Sequence, residues 1–196
     1  MVFGATNPKS NNYITDLSNE QLPVITILLP LYRDKNALIT LRNAIDQLDY
    51  PQEKKDVKLL LEEDDDETIL EAKKLGLAGQ YEIIIIPDSG PRTKPKACNF
   101  GMHLARGDLI VIFDAEDQPE RDQLKKAASA FHNAGPDLAC VQARLNYYNA
   151  SENWLTRGIM AQITEEKNYS PKMLFTRISR FVTSEVNRWF ALPRVA

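Results

Sequence analysis

Three carboxylates stand within four residues of this chain, at Asp114, Glu116 and Asp117. They follow directly after the apolar residues 109–113, whose β-branched side chains predict a strand buried on both faces of a parallel sheet. Acids at the carboxyl end of such a strand lie where open α/β sheets bind their ligands. A helix is predicted over residues 119–133, because proline suits a first helical turn, and one of the acids could equally cap that helix.

Two earlier apolar segments are also followed by polar side chains. Residues 22–30 lead to Tyr32 and Asp34, and residues 57–61 lead to the acidic residues 62–67. Because parallel strands end at one edge of a sheet, we expect these groups to lie beside the first three acids. Crowded carboxylates repel one another unless a cation joins them. Mg²⁺ and Mn²⁺ take oxygen ligands, commonly one or two carboxylates plus substrate phosphates, so this edge suits a metal-bound diphosphate.

The lysines and the absence of glycine-rich motifs indicate how a nucleotide could be bound. Lys94 and Lys96 stand near the start of a helical pattern, so a lysine could hold the diphosphate together with the metal. Lys94 is expected to be a surface charge. The sequence has no G-x-x-x-x-G-K-S/T loop and no G-x-G-x-x-G after its first predicted strand. A nucleotide would therefore be bound through its base and its metal.

The elements that must position these residues alternate along the chain. The predicted strands are residues 22–30, 57–61, 81–86, 109–113 and 138–142. The predicted helices are residues 36–50, 66–75, 97–105 and 119–133, with Gly76 and Gly107 closing the second and third. This order predicts a doubly wound, mostly parallel α/β sheet flanked by helices. No further strand is expected after residue 158.

The composition indicates which binding partners and which cellular location are expected. A length of 196 residues suits one domain with a sizeable core, and a net charge of −3 gives no reason to expect nucleic-acid binding. Cys98 and Cys140 have no metal-ligand spacing and are expected to be reduced and packed. No apolar run approaches the roughly 18 residues of a membrane span. The chain is expected to be cytoplasmic, with the inner face of the plasma membrane as an alternative.

Five short motifs together resemble family 2 glycosyltransferases, in particular the bacterial group related to the membrane-bound cellulose, chitin and hyaluronan synthases. The motifs occur in order within residues 22–157. They are Pro30-Leu31-Tyr32-Arg33-Asp34, Leu61-Glu62-Glu63-Asp64-Asp65, Lys96-Ala97-Cys98-Asn99, Asp114-Ala115-Glu116-Asp117 and the segment 142–149. Asp114-Ala115-Glu116-Asp117 resembles the Asp-x-Asp metal motif of that family.

The resemblance implies a Rossmann-like GT-A fold of nucleotide-diphospho-sugar transferases. It implies transfer of a hexosyl unit, with inversion, from a UDP-sugar to a glycan or lipid-linked acceptor, as in polysaccharide biosynthesis. Tyr32 and Asp34 would flank the base, Glu62 or Glu63 would read the base or the ribose, and Lys96 would meet the diphosphate. The implied nucleotide-sugar site is Pro30, Tyr32, Asp34, Glu62, Glu63, Lys96 and Asp114. Asp114 and Glu116 would hold Mg²⁺ or Mn²⁺.

The chain departs from the family pattern after residue 157. The family takes its general base from a Thr-Glu-Asp motif and has a Gln-x-x-Arg-Trp motif near the product channel. Here Thr164-Glu165-Glu166 and residues 185–189 only echo them, so the catalytic base is unassigned, with Glu165 and Glu166 as candidates. We therefore expect a flexible leader at 1–20, a donor-binding GT-A domain at 21–157 and an atypical tail at 158–196, so that the fold is incomplete at its C-terminus.

Other functions remain open at this point. A truncated remnant could bind a nucleotide-sugar without catalysing transfer. A sugar-nucleotide nucleotidyltransferase also holds metal with carboxylates, but it would need a Gly-rich basic loop after the first strand. A phosphoacceptor receiver domain would need an acid after the third strand and a lysine after the fifth, and Asp88 and Arg144 match those positions poorly.

Overall fold

A computed structural model of the chain describes residues 17–90, 92–133, 140–142 and 189–191. Within these ranges the chain forms six strands and four α-helices, which alternate up to the fifth strand. The strands are β1 (Ile25–Leu31), β2 (Lys55–Glu62), β3 (Glu82–Ile86), β4 (Leu109–Ile112), β5 (Cys140–Gln142) and β6 (Trp189–Ala191). The helices are α1 (Ala37–Asp46), α2 (Asp66–Lys74), α3 (Lys94–His103) and α4 (Gln123–Asn133).

The six strands form one sheet in the order β3-β2-β1-β4-β6-β5. Strand β1 pairs in parallel with both β2 and β4, and β2 pairs in parallel with β3. Because these four strands run the same way, the loops after them leave from one edge of the sheet. The structure confirms the predicted mostly parallel α/β fold.

Strands β1, β2 and β4 are buried on both faces, which explains their near-continuous apolar runs. On one face, residues of α1, α2 and α4 pack against alternate residues of β1 such as Ile27 and Leu29. On the other face, Ala97 and Cys98 of α3 pack against Leu28. Burial raises the pKa of Cys98 to about 12, which agrees with a packed, unreactive thiol.

Helix α2 begins and ends where its sequence predicts. The carboxylate of Asp65 accepts a hydrogen bond from the backbone N–H of Thr68 at 3.2 Å, which caps the first turn. The last turn carries two lysines, and Gly76 follows with a φ of 68°, the left-handed conformation that ends many helices. The strand end and the helix start are therefore fixed relative to each other.

Helix α4 begins at Gln123, so the prediction that Pro119 opens it is wrong. The backbone N–H of Asp114 donates to the Asp117 carboxylate, which closes a tight turn directly after β4. Further on, Glu120 and Gln123 bond to each other through the Gln123 side chain and the Gln123 backbone N–H. These contacts hold the chain outside the helix until residue 123.

Helix α3 begins at Lys94, three residues before the predicted start, because Thr93 caps it and Pro95 suits its first turn. Gly107 does not end this helix, since α3 already stops at His103. The carboxyl-terminal part of the sequence also differs from expectation. Strand β6 lies beyond residue 158 and pairs antiparallel with both β4 and β5.

Hydropathy adds one finding about membranes. Among the residues that the structure describes, no helix is both long enough and apolar enough to cross a bilayer.

Candidate functional site

The loop after β1 is held in an unusual backbone conformation. Arg33 has a φ of 53°, a left-handed conformation that residues other than glycine adopt uncommonly. Its backbone N–H donates to the Asp65 carboxylate, the same group that caps α2. One carboxylate thus fixes both the β1 loop and the start of α2, and it is buried. Strain of this kind concentrates at functional sites.

The two glutamates at the end of β2, Glu62 and Glu63, lie in different surroundings. Glu62 is 5% exposed and accepts a hydrogen bond from the Lys96 ammonium at 3.2 Å. Lys96 also donates to the carbonyl oxygen of Pro87 at 2.6 Å, which fixes it between the ends of β2 and β3. Glu63 is exposed, and its carboxylate accepts the backbone N–H of Asp88 at 3.1 Å. Of the two predicted glutamates, Glu62 is therefore a buried partner of Lys96, and Glu63 is an exposed group at the end of β2.

Asp64 joins three strand ends through its carboxylate. It accepts a hydrogen bond from the Tyr32 hydroxyl at 3.2 Å and forms ion pairs with Arg33 at 3.4 Å and Arg92 at 3.3 Å. Arg92 also contacts Asp88 after β3 at 2.8 Å. The other Asp64 carboxylate oxygen is buried and accepts no hydrogen bond from the residues that the structure describes.

The Tyr32 ring lies at the protein surface beside Asp64. We refer to Tyr32, Asp34, Glu63 and Asp64 as the rim of the site. The Tyr32 side chain is 39% exposed, and the Arg33 guanidinium lies 5.0 Å from the ring centre, within cation–π distance. Beside it, Asp34 is exposed and accepts the backbone N–H of Ala37 at the start of α1. Pro30 lies within β1, opposite Leu60. A cleft of about 370 Å³ runs between residues 33–36 and 64–68.

The turn after β4 separates its three acids. Asp117 is 3% exposed and stabilises the turn by accepting the backbone N–H of Asp114 at 2.8 Å. Glu116 is exposed, and the Asp114 side chain is 22% exposed. The Asp114 carboxylate contacts the ammonium of Lys94. Lys94 is therefore an ion-pair partner of the first acid rather than the surface charge that the sequence suggested.

A divalent metal fits the donor chemistry of this turn. Among the described residues, no group of three or more His, Cys, Asp or Glu side chains is arranged to hold a metal ion. Mg²⁺ and Mn²⁺ sites that also bind phosphates need only one or two protein carboxylates. Asp114 and Glu116 are oxygen donors of that number and type, so the residues present fit such a metal.

Some of the predicted site residues lie outside the described residues, and the structure adds one residue that the sequence did not predict. Glu165 and Glu166, the candidates for the base, lie outside the described residues, as does the segment 143–149. Arg92 was not predicted, although it connects Asp64 with Asp88. Its only signal in the sequence is a positive charge in a Pro- and Gly-containing loop, which is too common to assign a role.

Comparison with known proteins gives a family match and relatives at low identity. The family model described as Glycosyl transferase family 2 matches residues 26–190. A beta-monoglucosyldiacylglycerol synthase from Trichormus variabilis is 28% identical over 148 residues, which cover 73% of this chain and 30% of that protein. The chain thus spans less than a third of the length of this curated relative.

Solved structures with bound Mn²⁺ and a nucleotide share the fold. A mannosyltransferase from Pyrobaculum calidifontis, in complex with GDP-Man and Mn²⁺, superposes with a TM-score of 0.55 at 24% identity, covering 63% of this chain and 36% of that chain. Glucosyl-3-phosphoglycerate synthase from Mycobacterium tuberculosis, with Mn²⁺, UDP and glucosyl-3-phosphoglycerate, gives 0.53 at 13% identity, covering 89% and 58%. These likenesses confirm the predicted GT-A arrangement of a mostly parallel sheet flanked by helices.

Proposed function

The chain belongs to glycosyl transferase family 2, and from this membership we propose that it binds the UDP-sugar donor of a hexosyl transfer together with a divalent metal. The observation that carries the proposal is that three groups lie at the same edge of the sheet. These groups are the Asp64 cluster after β2, the Lys96–Glu62 pair and the Asp114 turn after β4. The Asp64 cluster would contact the base, Lys96 would supply a fixed cation, and the Asp114 turn would supply oxygen ligands for a metal.

The Asp114 turn would hold the metal. Asp114 and Glu116 are the proposed ligands, and a bound Mg²⁺ or Mn²⁺ would stabilise the negative charge of the departing diphosphate. Asp117 is not a proposed ligand because its carboxylate is buried and accepts the Asp114 backbone N–H. Its role is to fix the direction in which Asp114 leaves β4.

The rim would hold the uracil and the ribose. Tyr32 offers a partly exposed ring for stacking, and Asp34 lies next to it at the start of α1. Glu63 is exposed after β2, and Asp64, which contacts Tyr32, has a buried carboxylate oxygen without a donor among the described residues. An N–H or hydroxyl group of the nucleotide could supply that donor.

Lys96 would face the diphosphate from a fixed position. Its ammonium is held by the buried Glu62 and by the Pro87 carbonyl oxygen, so little side-chain entropy remains to be lost on binding. An isolated surface lysine would lose that freedom when the donor binds. Glu62 is accordingly proposed to orient Lys96 rather than to contact the base directly.

The acceptor and the stereochemistry belong to the same proposal. The relatives' printed names include a synthase of a glucosyl lipid, and we propose a glycan or lipid-linked acceptor and an inverting transfer for this chain. An inverting transfer needs a general base near the acceptor hydroxyl, a contribution of roughly 10²- to 10⁴-fold in rate. Glu165 and Glu166 remain the candidates for that base.

Titration calorimetry tests donor binding. UDP is titrated into the chain with Mn²⁺ and with EDTA, for the unaltered protein, Asp114→Asn and Asp122→Asn. Asp122 is the matched control, since its carboxylate also pairs with a lysine but lies just before α4. We expect Mn²⁺-dependent binding that Asp114→Asn weakens at least tenfold and Asp122→Asn leaves unchanged.

The same titrations can refute the proposal. Equal UDP affinity in Mn²⁺ and EDTA, or in Asp114→Asn and the unaltered chain, contradicts a metal-held donor at this turn. GDP titrated in parallel tests the choice of base, and we expect it to bind more weakly than UDP. Measuring UDP released from a UDP-sugar, with and without an added acceptor, then reports on transfer.

A further inference from the structure

Helix α3 begins with an unfavourable arrangement of charge. Lys94 and Lys96 both lie in its first turn, which contains no acidic residue. The amino end of a helix carries a partial positive charge, so cations there are destabilising unless carboxylates from elsewhere compensate them. Each of the two lysines has such a carboxylate: Glu62 for Lys96 and Asp114 for Lys94.

The two ion pairs differ in how firmly the lysine is held. Lys96 is 20% exposed, its partner Glu62 is 6% exposed, and the Pro87 carbonyl oxygen gives it a second acceptor. Lys94 is 35% exposed and has Asp114 as its one hydrogen-bonding partner among the described residues. Lys94 can therefore leave its carboxylate for solvent more easily than Lys96 can.

We propose that Lys94 is the resident counter-cation of Asp114, which a divalent metal replaces when it arrives with the diphosphate. The inference rests on the proposed function, because it takes Asp114 as a metal ligand. A carboxylate oxygen that contacts an ammonium is not free for a metal, and the ammonium repels an approaching cation. The metal must therefore displace Lys94.

The consequence is an order of binding. Without nucleotide, the metal competes with Lys94 for Asp114 and binds weakly. With nucleotide, the diphosphate supplies further oxygen ligands and negative charge that offset both cations. Metal and UDP then strengthen each other's binding, and by linkage the factor is the same in both directions. Lys94 would contribute to this coupling by weakening only the metal-alone state.

Mn²⁺ titration without nucleotide tests the competition. The variants are Lys94→Gln, Lys94→Arg and the control Lys125→Gln. Lys125 pairs with Asp49 at 2.8 Å and is 36% exposed, almost the same as Lys94, but it lies on α4. Its replacement removes the same charge from the chain without touching the β4 turn.

We expect Lys94→Gln to bind Mn²⁺ about fivefold more tightly than the unaltered chain, since a partly exposed ion pair contributes up to about 1 kcal/mol. Lys125→Gln and Lys94→Arg should stay within about twofold of the unaltered chain. In the presence of UDP the advantage of Lys94→Gln should shrink, so the coupling factor between Mn²⁺ and UDP falls. Circular dichroism confirms that each variant is folded.

Asp114→Asn separates failure of this inference from failure of the proposed function. If Asp114→Asn abolishes Mn²⁺ binding but Lys94→Gln binds Mn²⁺ no more tightly than Lys125→Gln, the competition is refuted and the metal site stands. If no variant shows Mn²⁺ binding that depends on Asp114, with or without UDP, the proposed metal site and the inference both fall.

Discussion

At the scale of single residues, the protein contains a fully buried lysine, whose charge must be compensated within the fold. Lys58 in β2 is 0% exposed, and its ammonium lies 3.0 Å from Asp56 and 2.5 Å from Glu82. A buried charge destabilises the fold by several kcal/mol unless it is paired and hydrogen-bonded. Asp56 completes the group by accepting hydrogen bonds from Thr26 and from the backbone and guanidinium of Arg106.

We predict that Asp56→Asn lowers the free energy of unfolding by roughly 3 kcal/mol at pH 7, because Lys58 then faces only one carboxylate. Burial raises the pKa of Asp56, but hydrogen bonds from Arg106, Lys58 and Thr26 outweigh it and hold the pKa below the ordinary 3.8. A lowered carboxyl pKa stabilises the fold above pH 3.8, and this is lost as the pH falls through the folded-state pKa. Urea unfolding from pH 7 to pH 3 measures it.

The difference between Asp56→Asn and the unaltered chain should therefore be constant above about pH 5 and should shrink on acidification. Asp49→Asn is the control, since Asp49 makes a surface pair with Lys125 and is 58% exposed. Its replacement should cost less than about 1 kcal/mol. An Asp56→Asn effect that is independent of pH down to pH 3 contradicts this account.

At the scale of elements, the connection from α3 to β4 depends on one glycine. Gly107 donates its backbone N–H to the Thr26 hydroxyl at 2.8 Å. A Cβ on Gly107 would lie 2.4 Å from the backbone nitrogen of Thr26 and 2.8 Å from the carbonyl oxygen of Leu109. Both atoms belong to paired strands and cannot move aside. The close approach lets the chain leave α3 and enter β4 directly beside β1.

We predict that Gly107→Ala destabilises the protein by about 3 kcal/mol or more, because the added methyl group must push strand backbone apart. Thermal and urea unfolding measure the change. Gly79→Ala is the matched control, since nothing lies within 4 Å of its added Cβ and its φ is not positive. It should be neutral or slightly stabilising. Equal effects of the two substitutions would contradict a role for close approach.

A shift of the β1–β4 pairing by this substitution would also reach the site. Strand β4 pairs with β1 from Ile25 opposite Leu109 to Leu28 opposite Ile112, and Asp114 follows two residues later. We therefore expect any Gly107→Ala protein that still folds to bind Mn²⁺ and UDP more weakly. Gly79→Ala should keep the affinity of the unaltered chain.

At the scale of the whole molecule, the features that could be predicted from the sequence are those that depend on a local pattern of residues. The parallel α/β alternation follows from apolar runs such as those of β1 and β4, and Gly76 marks a helix end through its own conformation. The Asp114 turn was predictable as a candidate site because it comes directly after a buried strand. The partners of its charges were not predictable, since Lys94 meets Asp114 only through the packing of α3 across β1 and β2.

Strand β6 shows the other limit of sequence reasoning. It has three residues, Trp189–Ala191, and three residues are too few for an alternation of apolar and polar side chains to be recognised. Its place is fixed by pairing with strands at least 47 positions earlier in the chain, such as Gln142 opposite Trp189. Non-local pairing of this kind has no signature in the strand itself.

The position of β6 makes it the connection between β5 and the rest of the sheet. It pairs with β4 at Ile110 and Val111 and with all three residues of β5, both times antiparallel. Without β6, the edge of β4 would present unpaired backbone groups beside buried apolar residues, an arrangement that promotes association between chains. The sheet edge next to the Asp114 turn would then also lose its support.

We predict that deletion of residues 189–196 lowers the unfolding free energy by at least about 2 kcal/mol, since each lost backbone hydrogen bond contributes roughly 1 kcal/mol. In a chain of this size that corresponds to a fall in Tm of about 4 to 8 °C. Deletion of residues 192–196 alone, which keeps β6, is the control and should leave Tm within about 1 °C. Differential scanning fluorimetry and size-exclusion chromatography distinguish the two truncations. If the shorter chain keeps the full Tm and elutes as the unaltered protein does, β6 does not close the sheet in the way that its pairing indicates.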